Sequence, residues 1–217
     1  MKLNIDIPTS LNEITLRQYK KFLKLQESSE DDRFLTSKMI EIFCNLELKD
    51  VMLLKVKDTD KISAILSNMF ESKPALVTRF KIGKKEYGFH PQLDDLTLGE
   101  YIDLDTYLGD WDNIEKAMNV LYRPILATLK DKYSIKEYEI GTEEYLLDMP
   151  MDAVLSSIFF FWNLGLELSE TMTSYLDSQE MTEALTAFLN SETNGDGINQ
   201  FTDSLKETLQ GLKISLN

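Results

Sequence analysis

The 217-residue sequence predicts a mostly α-helical α+β fold, a helical bundle carrying a small antiparallel sheet. Three observations lead there. Apolar residues recur at helical spacing in several segments, as Phe34, Leu35, Met39, Ile42 and Phe43 do. The stretch VTRFKIGKKEYGF, Val77 to Phe89, reads as two short strands around a Gly83-Lys84 turn. Leu3, Ile5 and Ile7 alternate with Asn4 and Asp6 ahead of Pro8, the pattern of a half-buried strand. Because a lone two-stranded hairpin is marginal in water, residues 2–7 are expected to complete the sheet beside 77–82 and 85–89.

The elements follow in order. Thr15 opens a helix running to about Gln26, and ESSEDD is a polar connector. A helix over 34–45 comes next, with a short one over Leu46–Lys55. Asp58 or Thr59 is placed to cap another, with Ile62, Ile65, Leu66 and Met69 on one side, until Pro74. Beyond the hairpin the chain reads as helical throughout. One helix starts at Thr97, another near Asp110 or Asp112, with Pro124 kinking or interrupting it. Thr142 caps a short helix, and Pro150 stands at the favoured start of a longer one carrying Val154, Leu155, Ile158, Phe159, Phe161 and Trp162. A turn-rich loop, NSETNGDGIN, precedes a final amphipathic helix over Phe201–Leu212. The bend at Gly88–Pro91 divides a small α+β unit, 1–91, from a helical unit, 92–217; a single compact domain fits the pattern equally.

One phrase occurs twice. Leu11-Asn12-Glu13-Ile14-Thr15-Leu16-Arg17-Gln18-Tyr19 aligns with Leu93-Asp94-Asp95-Leu96-Thr97-Leu98-Gly99-Glu100-Tyr101. Both read as helix starts: Thr15 with Gln18, and Thr97 with Glu100, form capping boxes, and Ile14 with Tyr19, and Leu96 with Tyr101, form hydrophobic staples. Beyond the phrase the first helix turns basic, KKFLK, and the second acidic, IDLDTY.

Composition narrows the function. The formal net charge is −14, which disfavours direct binding to a phosphate backbone and argues against anionic membranes. The most hydrophobic stretch, Ala153 to Leu166, is shorter than the roughly 20 residues a membrane span needs. The single cysteine, Cys44, excludes an internal disulfide.

The catalytic inventory is thin. Cys44 would need an activating base, and His90 is the sole histidine. A serine triad would need the same histidine, and no G-x-S-x-G elbow is present. No zinc-type Cys/His set and no Gly-rich phosphate loop occurs, and no cofactor is expected. The loop from Asn190 fails the calcium-loop pattern at Phe201, where a bidentate glutamate is required. The segment 94–115 is rich in carboxylates and holds no Lys or Arg. Glu100 and Asp103 share a helix face there, which leaves a metal-dependent hydrolase as one alternative. Helix caps and a solvated face, or a docking face for a basic partner, are the others. Glu100, Asp103, Asp105, Tyr107, Trp111, Phe160 and Trp162 are the candidate partner-binding residues, the carboxylates as a docking face for a basic partner and the aromatics because a small chain has difficulty burying so many.

FHPQLDDLTLGEYIDLDTYLGDWDNIEKAMNVLYRPI, Phe89 to Ile125, resembles a segment of virion and structural-region proteins of tailed bacteriophages, crAss-like phages in particular. MPMDAVLSSIFFFWNLGLEL and NGDGINQFTDSLKETL are similar to the same group. The resemblance covers about a third of the chain and brings no catalytic signature. It implies a non-enzymatic virion protein, structural or packaged cargo, at the capsid, portal or tail. Its partners would be other phage structural proteins or further copies of itself, with the host cytoplasm as the site of assembly. An assembly chaperone absent from the mature particle is the alternative.

Overall fold

Two threonines start two helices in the same way. Thr15 Oγ1 accepts from the Gln18 N–H (3.3 Å) while Gln18 Oε1 accepts from the Thr15 N–H (2.9 Å). Thr97 and Glu100 repeat the pair at 3.3 and 2.8 Å. Both capping boxes read from the sequence are therefore present. The computed structural model describes residues 5–130 and 132–176. The predicted elements beyond them, including the Asn190–Phe201 loop and the helix over 201–212, lie outside the described residues.

The helices are α1 (Leu16–Ser28), α2 (Asp32–Phe43), α3 (Leu48–Val51), α4 (Val56–Phe70), α5 (Leu98–Tyr107), α6 (Ile114–Leu121) and α7 (Met151–Leu176). Four strands, β1 (Arg79–Ile82), β2 (Lys85–Phe89), β3 (Tyr122–Leu129) and β4 (Lys132–Ile135), form one antiparallel sheet in chain order. The α+β class and the hairpin are thus as expected. The third strand is not.

Residues 5–7 lie outside the sheet, with Ile5 and Ile7 packed half-buried against the core. The edge of β2 is taken by β3, with Gly88 opposite Arg123 and Phe89 opposite Tyr122. The helical reading of everything after Leu93 is corrected at the same place. Pro124 does not kink α6; the helix ends at Leu121 and the chain passes directly into β3. Proline disfavours the helical region for the residue before it, so Arg123 is already biased towards extended backbone. The β3–β4 turn carries no glycine or asparagine signal. Lys130 takes the left-handed conformation there, at φ 55, a region usually left to glycine.

Burial explains why β3 wins the edge. The Tyr122 ring is fully enclosed, 5.1 Å from the Phe80 ring and 5.3 Å from the Phe89 ring. Its single hydroxyl hydrogen is shared between Val77 O (2.8 Å) and Ala153 O (3.2 Å), tying the sheet to α7. Tyr122→Phe should leave Val77 O without that donor, while Ala153 O keeps the Ser156 hydroxyl (3.1 Å), and cost about 1–2 kcal/mol. Urea unfolding measures it, and an unchanged midpoint would count against the tie.

One contiguous core runs from Leu11 to Phe159. Strands on both sides of residue 91 share the sheet, and an antiparallel bridge joins Thr15 to Pro150. In that bridge Leu16 N–H donates to Met149 O and Met151 N–H to Ile14 O, both at 2.9 Å. The Arg17–Asp148 ion pair, at 2.9 Å, lies beside the bridge. Among the described residues, no helix is long and apolar enough to cross a membrane.

Candidate functional site

The acidic segment divides into three parts when its side chains are followed to their partners. The first is inward. Glu100 is buried on α5, and its Oε1 lies 2.9 Å from a terminal guanidinium nitrogen of Arg123. Its Oε2 accepts from the Thr97 N–H (2.8 Å) and hydroxyl (2.7 Å). Asp103, one turn on, accepts from the Tyr138 hydroxyl at 2.5 Å. Nearby, Tyr145 donates to Asn119 Oδ1 (3.0 Å), and Asn119 Nδ2 donates to Glu139 O (2.9 Å). The face-sharing pair Glu100 and Asp103 is therefore already occupied by internal donors. Among the described residues, no three His, Cys, Asp or Glu side chains gather in a metal-holding group.

The second part is covered by the basic end of α1. Lys20 Nζ lies 2.5 Å from Glu115 Oε2 and donates to Asp112 O at 2.8 Å. Lys24 Nζ stands 3.8 Å from Asp112 Oδ1. The basic end of α1 thus meets carboxylates further along the acidic segment, Asp112 and Glu115, and not the Asp103 and Asp105 that directly follow the second phrase. Asp110 is used locally, accepting from Asp112 N–H and Asn113 Nδ2.

The third part is outward. Asp94, Asp95 and Asp105 are exposed and form no ion pair among the described residues. Between them in sequence, α5 presents Leu98, Tyr101 and Ile102, 75%, 52% and 52% exposed. These positions are three and four apart and form one apolar face.

The other candidates are distributed. Tyr107 is half-buried, with the Lys116 ammonium 4.6 Å from its ring centre. Trp111 packs on Tyr19 with ring centres 5.1 Å apart. Phe160 lies edge-on to Phe89 and Phe161, at 5.8 and 5.2 Å. Trp162 is half-buried against the core on α7. Tyr107 and Trp111 thus belong to the α1–α6 side, and Phe160 to the side of β2.

Cys44 and His90 share no hydrogen bond among the described residues. Cys44 is buried at the end of α2, and burial, aided by the charge of Asp6, pushes its thiol up to about 11. Only the thiolate is nucleophilic. At pH 8 a disulfide reagent should react with the native protein at a small fraction of its rate with the unfolded chain; equal rates would contradict the burial.

His90 Nδ1 accepts from Gln92 N–H at 3.3 Å, and its ring stands in the field of Arg123, Glu100 and Asp95. Burial first, then Arg123, holds the imidazole below its ordinary value, against the pull of the two carboxylates. Burial raises the Glu100 carboxyl, but the Thr97 donors and Arg123 outweigh it, and the net shift is downward. Both groups bind protons less readily folded than unfolded. The His90 contribution is complete above about pH 6.5 and is lost as pH falls towards the folded value; that of Glu100 is complete above about pH 4.3 and lost below it. The stability of wild type relative to His90→Gln should therefore shrink as pH is lowered from about 7.5 to 5.5. Urea midpoints measure this, and a pH-independent difference would remove the histidine from the account.

Arg123, Tyr138, Asn119 and Tyr145 were not marked by the sequence. The Arg123-Pro124 pair, read as a helix interruption, could have signalled extended backbone but not an ion pair. Comparison with protein-family models, curated proteins and solved structures finds no match.

Proposed function

We propose that the chain is a non-enzymatic component of a tailed-phage particle, structural or packaged with the capsid, portal or tail, and that it acts through protein–protein contacts. One observation carries the reading. Among the described residues, the catalytic candidates Glu100 and Asp103 are committed to internal partners and Cys44 is buried, while an apolar helix face is left open. Glu100 and Asp103 would have to leave Arg123 and Tyr138 to act in hydrolysis, and the Cys44 thiol is held protonated. The likeness of Phe89–Ile125 and Met149–Leu168 to phage structural-region proteins supplies the setting.

Mass spectrometry of purified particles and of infected-cell extract tests the reading. The expected result is the chain in mature particles at a fixed ratio to a structural protein. Presence only on assembly intermediates would make it a chaperone. Absence from both, with particles assembling normally without the gene, would sink the proposal.

A further inference from the structure

The two copies of the repeated phrase have opposite fates. In α1, Leu16 and Tyr19 are 0% and 4% exposed, and Tyr19 lies against Phe70 and Trp111. In α5, the matching Leu98 and Tyr101 point to solvent, with Ile102 beside them. Helix α5 instead turns Glu100 and Leu104 inward. The sequence thus spends a core-type Leu and Tyr on a face that nothing in the described chain covers. Gly99, on the same turn, has open space where a Cβ would stand, so a partner backbone can come close.

Charge selects the occupant. Asp94 and Asp95 precede the face and Asp105 follows it, all without ion pairs among the described residues. A second copy would bring the same carboxylates, on a chain of net charge −14. Residues 177–217 are a poor occupant too, with acidic residues outnumbering Lys206 and Lys213 seven to two. The molecule also shows what this acidic stretch accepts: the lysines of α1 settle on Asp112 and Glu115.

We propose that the α5 face of Leu98, Tyr101 and Ile102 docks a basic amphipathic segment of another protein, with apolar side chains on the stripe and Lys or Arg reaching Asp94, Asp95 and Asp105. This rests on the reading that the chain works through protein contacts, and adds which surface does so and what it selects. The apolar anchors supply affinity, and the carboxylate rim supplies orientation and on-rate.

Two experiments on the full chain test it. A fluorescent helical peptide of leucine and lysine is titrated by anisotropy, with a leucine/glutamate peptide as control. The lysine peptide should bind and the glutamate peptide should not. Tyr101→Ser/Ile102→Ser and Asp105→Lys should each weaken binding, the former about tenfold or more. Leu126→Ser, at an exposed residue of β3, should not. Because these side chains are exposed, circular dichroism should show every variant folded. Equal affinity across the variants overturns the assignment. A photo-crosslinker at position 102 or 162, in the cells that make the protein, then separates the two claims. Cross-links at 102 to a basic apolar segment of an identified protein support it. A self cross-link at 102, a link to residues 177–217, or an identified partner reached only from 162 overturns the α5 proposal; the last of these leaves the protein-contact reading standing. No protein at either position counts against both.

Discussion

Replacing Arg123 with methionine should destabilise the protein by about 3–5 kcal/mol, the cost of leaving one partner of a buried ion pair alone. The Arg123 and Glu100 side chains are 7% and 5% exposed and 2.9 Å apart, so water cannot replace the lost guanidinium. Thr97 would still donate to Glu100, which limits the loss without neutralising the charge. Nor is the arginine ideally housed: its Nε is enclosed without an acceptor among the described residues. A buried ion pair replaced as a unit by apolar side chains is often neutral. Arg123→Met with Glu100→Leu should therefore recover part of the loss, less the capping-box bonds that Glu100 makes. Urea unfolding at pH 7 measures all three proteins. A single-variant loss below about 1 kcal/mol would place the pair in the range of surface salt bridges and contradict its burial.

The second large effect is steric. A Cβ built on Gly88 would stand 2.3 Å from Tyr133 Cε2, so the ring would have to move. It is held in two ways: its hydroxyl donates to Phe89 O at 2.7 Å, and the Arg79 guanidinium lies 4.5 Å from the ring centre. Gly88→Ala should cost about 1–3 kcal/mol, the usual range for overpacking. In a Tyr133→Ala background the same substitution should cost much less, because the obstacle is gone. The coupling between the two sites is the decisive measurement, and simple additivity would show that the glycine is needed for another reason.

Local rules were legible in the sequence and long-range choices were not. Thr15 and Thr97 announced their capping boxes because a helix start is decided within four residues. The Val77–Phe89 hairpin was legible for the same reason, with Gly83 taking φ 58 in its turn. What completes the sheet was not local. Residues 2–7 have the alternation of a strand, but β3 brings Tyr122 into the Phe80–Phe89 cluster, and burying that ring decides the edge. Strand β3 was hidden because Pro124 reads as a helix break and Lys130 occupies a turn position that glycine normally marks.

The candidate surface was half legible. The sequence showed that the repeated phrase diverges after its tyrosines, but not that Tyr19 goes inside while Tyr101 faces out. That depends on how each helix is rotated about its axis, and for α5 the rotation is fixed by the ion pair of Glu100 with a residue 23 positions away. A carboxylate that reads as a capping residue also aims the helix.

The bridge between Thr15 and Pro150 has a consequence for how the chain is made. It closes a loop of more than 130 residues, and contacts of such sequence separation form late and slowly. During synthesis the N-terminal helices emerge long before Met149 and Met151 exist to pair with Leu16 and Ile14. Until then the backbone groups of Leu16 and Ile14 that pair with Met149 and Met151 in the finished protein lack those partners. Ribosome-bound chains halted before residue 149 should therefore be cut readily near the first helix, and those halted well after α7 should resist. The joint makes the last-made part of the core the latch for the first.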